Sequence, residues 1–211
     1  MPKDTFYNLS KEKKAQIYKI AIEEFADYSY EKVSITRIVE KAGIAKGSFY
    51  QYFENKKDLF MYIIDEIGKA KMESMTSLIE NIDKMDFFEF LRQLFRKGIE
   101  FGKSKPELAK VLDRIMNEMP KEIKAEIYKE GEVKSLEMFE NLLKAAIEKR
   151  QIRSDIDVRL VSYMITHLSM SVSEYHFQDM PVKEENFDKI IDTSDSMVEI
   201  LERGLGFNVF K

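Results

Sequence analysis

From Ile17 to Leu201 the apolar residues recur at spacings of three and four, and no stretch alternates apolar with polar as a half-buried strand must. That property restricts the chain to helices packed on helices. Eight Gly and four Pro in 211 residues supply too few turns for a β-sandwich or barrel. A hydrophobic fraction of 44% is enough to build a core. At roughly 150 residues per domain the length corresponds to one or two domains. With no Cys, disulfide scaffolds, thiol catalysis, Cys-ligated zinc and iron–sulfur clusters are excluded.

The N-terminus lacks the charged and apolar regions of a signal peptide. The most apolar stretch, Val158–Phe177, is interrupted by Arg159, His167 and Glu174, which are costly in lipid. It reads as a buried helix, so the expectation is a cytoplasmic protein with no membrane partner. The net charge of −4 is unevenly spread. Residues 1–60 carry 11 Lys/Arg against 9 Asp/Glu, and the remainder 23 against 29. A basic head on an acidic body suits a chain with two tasks.

Local signals set the order of elements. Ser10 is placed to cap a first helix with Ile17, Ile20, Ala21 and Phe25 on one face. Ser34 caps a second, carrying Ile35, Ile38 and Val39, which stops at Ala42–Gly43, where glycine closes the helix in the left-handed region. Ile44 and Ala45 lead into a third short helix, Lys46–Tyr52. Asn55 and Asp58 form a capping box that opens a fourth helix, about Asn55 to Ile82. Leu59, Ile63 and Ile67 on one face and Phe60 and Ile64 beside them suit a helix between two packed bodies. A Phe-rich helix over 86–103 and another opened by Pro106 follow. Pro120 starts a stretch to about Arg150 that Gly131 should bend or break. The last two helices cover roughly Asp157–Phe177 and Lys183–Gly204. The expected architecture is all-α with about nine helices: a head over 1–53, joined by helix four to a body over 54–211.

The segment from Ser34 to Phe53 has helix-turn-helix proportions, and its second helix concentrates groups suited to DNA. Lys46 can reach a base edge or a phosphate, and Gly47 permits close backbone approach. Ser48, Tyr50 and Tyr52 carry hydroxyls for phosphate oxygens, and Gln51 can read a base edge. Lys56, at the start of helix four, joins an ammonium to helix N-terminal amides. Phe49 and Phe53 share a face and read as core. Lys57 reads as solvated, and Lys3, Lys11, Lys13 and Lys14 read equally well as phosphate contacts or as a solvated terminus.

The pattern Ala42-Gly43-Ile44, Lys46-Gly47-Ser48-Phe49-Tyr50, Tyr52-Phe53, Asn55-Lys56 and Leu59 resembles the DNA-binding signature of TetR-type transcriptional repressors. The resemblance covers about residues 8–62; beyond it only length and helix rhythm correspond. It implies that Ser34 and Thr36 lie near the phosphate backbone and that Arg37 occupies a position some members use for DNA. It also implies that Lys46, Gly47 and Ser48 enter the major groove while Tyr50, Tyr52 and Lys56 hold phosphates. Ala45 stands where the family often has Ser, which removes a side-chain cap, and Gln51 stands where His is common.

The body offers two further candidates. Val161, Ile165, Ser169 and Val172, with Ile190, Ser194, Met197 and Leu201, give the last two helices matching faces. Such faces suit an isologous four-helix dimer interface or an intrachain core. Phe95, Met116, Phe139, Tyr163, His167 and Met170 could line an adaptable effector pocket or belong to an ordinary interior. His167 and His176, nine residues apart, point to opposite faces and cannot chelate one metal. No phosphate-cradling loop, nucleophile elbow or paired His/carboxylate motif occurs, so neither cofactor nor metal is expected and catalysis has no support. The leading expectation is a homodimeric repressor, released from a palindromic double-stranded operator by a hydrophobic or amphipathic effector. An effector-blind architectural or partner-recruiting DNA-binding protein is the alternative.

Overall fold

The computed structural model describes residues 1–177 and 187–207, apart from the side chains of Ala109, Met116, Asn117, Glu130, Met170, Ser173, Glu174, His176 and Phe177. The pocket expected at Met116 and Met170, the assignment of His176 and the helix start at Lys183 therefore lie outside the described residues.

The described residues are all-α: α1 (Asp4–Tyr7), α2 (Lys11–Asp27), α3 (Ile35–Ala42), α4 (Lys46–Tyr52), α5 (Lys56–Ser74), α6 (Thr76–Glu80), α7 (Phe87–Ser104), α8 (Pro106–Glu118), α9 (Lys121–Glu148), α10 (Val158–Phe177) and α11 (Phe187–Leu205). A 3₁₀ turn covers Ile82–Lys84, and one isolated bridge joins Ile152 to Gly206. The eleven helices exceed the nine expected because α1 was not foreseen and because helix four ends early. At Met75 the N–H turns back to the carbonyl of Met72 (3.0 Å) and the helix gives way to α6. This break turns both Met75 and Leu78 inward. Gly131 causes no break: α9 runs uninterrupted from Lys121 to Glu148. One interior glycine costs a helix only about 1 kcal/mol, which the flanking helix formers offset.

Two compact units result. The first comprises Met1–Lys71 and Lys105–Ile127, so α8 belongs with the head. Its core holds Phe6, Ile17, Phe25, Ile38, Phe49, Phe53, Leu59, Phe60 and Ile63. Leu108, Val111 and Ile115 bury one face of α8. Arg114 fixes α8 to the end of α2, donating to the carbonyls of Ala26 (2.8 Å) and Asp27 (3.1 Å). Those carbonyls lack partners within α2, so the guanidinium acts as a C-terminal cap.

The second unit comprises residues 72–104 and the described residues from 128 onward. Its core gathers Phe88 and Leu91 of α7, Phe139 and Leu143 of α9, Val161 and Ile165 of α10, and Met197, Val198 and Leu201 of α11. Ion pairs Arg92–Glu202 and Arg96–Asp195 flank the α7–α11 seam. The faces expected to serve either a dimer interface or an intrachain core lie in this unit. Val161, Ile165, Met197 and Leu201 lie in the chain's own core, Ile190 and Ser194 are buried with them, and Ser169 and Val172 are half-buried. Periodicity identified the apolar stripes, but α10 and α11 spend them on each other and on α7 and α9. Among the described side chains of α10, Leu160, Tyr163, Met164 and Tyr175 are the large apolar or aromatic ones left outside.

The candidate nucleic-acid interface

A buried carboxylate organises the head. Glu24 of α2 is 0% exposed. Its Oε1 accepts the backbone N–H of Ser34 (3.1 Å) and Nε of Arg37 (2.8 Å), and Lys41 Nζ stands 3.9 Å from Oε2. Sequence reasoning missed this residue, although a signal was present: Glu24 interrupts the stripe of Ile17, Ala21 and Phe25. Arg37 also donates to the carbonyl of Lys32 (2.8 Å) and lies 4.1 Å above the ring of Tyr28. The hydrogen bond to Glu24 raises the guanidinium pKa further. Arg37 thus ties α3 to α2.

The turn after α3 follows its local signals. Ser34 Oγ accepts the Arg37 N–H (3.3 Å) at the start. At the end Gly43 adopts φ 60°, ψ 42°; its N–H returns to Glu40, and that of Ile44 to Val39 (3.0 Å). This is the paired closure that left-handed glycine allows. Lys13 adds a tertiary cap, donating Nζ to the carbonyl of Ala42 (2.8 Å). Helix α4 then begins at Ala45 without a side-chain cap, as the Ala substitution leads one to expect.

Phe49 and Phe53 anchor α4 inward. Thr36, Lys46, Gly47, Tyr50 and Gln51 are exposed, while Ser34, Ser48 and Tyr52 are half-buried. These residues lie on α3 and α4, the two helices of the motif. A Cβ at Gly47 would meet no atom within 4 Å, so nothing inside the protein requires glycine there.

Lys56 is engaged within the protein. Its ammonium donates to the carbonyls of Tyr30 (2.7 Å), Glu31 (3.1 Å) and Val33 (3.3 Å) and sits 4.8 Å from the Tyr30 ring. Burial lowers its pKa, partly offset by Glu31. With three donors so placed, Lys56 ties α5 to the turn before α3. Asn55 and Asp58 form the expected box: Asn55 accepts the Asp58 N–H (3.0 Å), and Asp58 accepts that of Glu54 (3.0 Å). Lys57 pairs with Glu126.

Two family models match the chain: bacterial regulatory proteins of the tetR family over residues 17–63, and the tetracyclin repressor-like C-terminal domain over residues 85–206. The chain belongs to the TetR family. As such it is a DNA-binding transcription regulator, and the helix-turn-helix just described is its DNA-binding element. Among similar proteins, a fatty acid metabolism regulator protein of Bacillus subtilis (strain 168) is 26% identical over 193 residues, 90% of this chain and 94% of that one. A TetR-family regulator of Chloroflexus aurantiacus J-10-FL aligns with a TM-score of 0.61 at 29% identity, covering 98% of this chain and 99% of its own. The B. subtilis regulator FadR, crystallised with stearoyl-CoA, shares the fold at 23% identity and a TM-score of 0.69, over 90% of this chain and 98% of its own. These relatives are transcription regulators, and no described helix is long and apolar enough to cross a membrane.

Four of the residues expected to line a pocket have described side chains. Phe139 is core and Phe95 packs half-buried against the same cluster, whereas Tyr163 is 49% exposed and meets His167 at a tilt of 47°, with ring centroids 4.1 Å apart. His167 Nε2 lies 3.1 Å from Glu132 Oε1. Tyr163 shares the exposed side of α10 with Leu160 and Met164.

Proposed function

We propose that this protein is a homodimeric repressor whose operator is a palindrome and whose effector is a long-chain acyl thioester. The observation carrying the DNA half is a short helix held by Phe49 and Phe53, with Lys46, Gly47, Tyr50 and Gln51 exposed along it. Lys46 and Gln51 would supply base or phosphate contacts and Tyr50 a phosphate contact. Two heads would engage half-sites about one helical turn, ~34–36 Å, apart. Leu160, Tyr163 and Met164 of α10, rather than the buried stripe, would meet the second subunit.

The effector class is supported by the fatty acid metabolism regulator, which aligns over nearly its whole length, and by the stearoyl-CoA bound to a protein of the same fold. An amphipathic thioester would release DNA only through its differential affinity for a form with unsuitable head spacing. Helix α5 is the candidate lever, because Leu59, Phe60 and Ile63 root it in the head core and it continues past Lys71 into the second unit. Arg114 gives α8 a direct grip on α2.

The test is a titration of the protein–DNA complex with stearoyl-CoA, coenzyme A and stearate separately. Release by stearoyl-CoA alone is expected. Release by none of the three would remove the acyl-thioester assignment and favour the effector-blind alternative.

A further inference from the structure

The recognition helix α4 has only seven residues, Lys46–Tyr52, and its own sequence supplies no side-chain cap at Ala45. Isolated helices of this length are unstable in water, so outside contacts must hold it. At its far end the N–H of Phe53 satisfies the carbonyl of Phe49 (2.8 Å). The carbonyls of Tyr50, Gln51 and Tyr52 then lack partners within the helix.

All three are met by one short segment near the N-terminus. Lys3 Nζ donates to Tyr50 (2.8 Å), Thr5 Oγ1 donates to Gln51, and the Lys3 N–H donates to Tyr52 (2.8 Å). Phe6, 0% exposed, anchors the segment with its ring centroid 4.8 Å from Phe53, 5.1 Å from Tyr62 and 6.0 Å from Tyr52. A cation at a helix C-terminus also complements the negative end of its dipole. Residues 3–6 lie before the stretch matched by the DNA-binding family model.

We infer that residues 3–6 form a clamp that sets the position of the recognition helix, making Lys3, Thr5 and Phe6 determinants of operator affinity that do not themselves touch DNA. The residues whose carbonyls are clamped, Tyr50, Gln51 and Tyr52, carry the side chains assigned to DNA. Fraying of the last turn therefore moves those side chains directly. The link to operator affinity rests on the proposed DNA-reading role of α4, whereas the clamp's hold on α4 does not.

The experiment compares the full-length wild type with Lys3→Ala/Thr5→Val, and with the conservative Lys3→Arg/Thr5→Ser. Amide hydrogen exchange across Lys46–Phe53 tests the clamp without DNA. Binding to the duplex selected by the wild-type protein, measured over a range of salt, tests its consequence. The expected result is faster exchange confined to Tyr50–Phe53, a roughly tenfold loss of affinity with an unchanged salt slope, and recovery of both in the conservative variant. Unchanged exchange would overturn the clamp. A salt slope reduced by about one would overturn the claim that Lys3 avoids DNA, because that marks a lost phosphate contact. Exchange rising equally through α2 and α3 would reduce the segment to a general packing element. If no duplex is selected, the operator proposal fails while the exchange result still decides the clamp.

Discussion

Arg37 Nε donates to the Glu24 carboxylate across 2.8 Å, and the same oxygen receives the N–H of Ser34, the residue that caps α3. One buried side chain therefore fixes both the start of the helix-turn-helix and its attachment to α2. Glu24→Ala removes acceptors from a guanidinium and a backbone N–H. Arg37 is partly exposed and can turn to water, which reduces the penalty. A destabilisation of about 2 kcal/mol is expected, seen as a fall of roughly 4–8 °C in thermal midpoint. A midpoint unchanged within 1–2 °C would show that the pair organises nothing.

Lys46→Ala and Tyr50→Phe change exposed groups on α4 without entering the core. Each is expected to weaken binding to the selected duplex about tenfold, as loss of one charge-assisted or hydroxyl contact does, while the assembled mass stays constant. Fluorescence anisotropy with sedimentation in parallel checks both. Dissociation into monomers would contradict the division of roles between head and body.

Features that depend on neighbours in sequence were legible, and features that depend on distant residues were not. The Ser34 cap, the left-handed Gly43 and the Asn55–Asp58 box each obey rules that span six residues or fewer. Glu24, Lys13 and the final partners of Lys56 are tertiary facts: nothing within their own helices says that an ammonium will meet three carbonyls from the turn around Tyr30. The stripes of α10 and α11 were correctly seen as apolar. Periodicity names a buried face without naming which chain buries it, and here Ile165 and Val198 close the molecule's own interior.

The outer face of α10 accordingly carries the assembly prediction. Leu160, Met164 and Tyr163 are between 45% and 55% exposed, unlike the core residues Val161 and Ile165. Leu160→Glu/Met164→Glu is expected to yield a folded monomer with an unchanged helical spectrum, measured by sedimentation equilibrium. A persistent dimer would move the interface elsewhere.

Tyr18 and Tyr62 make edge contact at 6.2 Å, and burial together with Glu66 pushes both phenols up to about 12. An unfolded tyrosine titrates near 10. Between pH 10 and 12 the unfolded chain thus loses protons that the folded one retains, so stability falls as pH rises through that window. Wild-type protein should lose thermal stability there more steeply than Tyr18→Phe/Tyr62→Phe. Parallel profiles would show that these phenols take no part in alkaline unfolding.

The most direct test of sequence-specific repression is selection of fragmented genomic DNA from the source organism by the purified protein at about 0.15 M salt. Recovery of a few fragments sharing one palindrome, with half-sites spaced by about one helical turn, is the predicted result. Salt-sensitive binding to fragments with no common sequence would contradict it, leaving backbone attraction as the only DNA activity of the head.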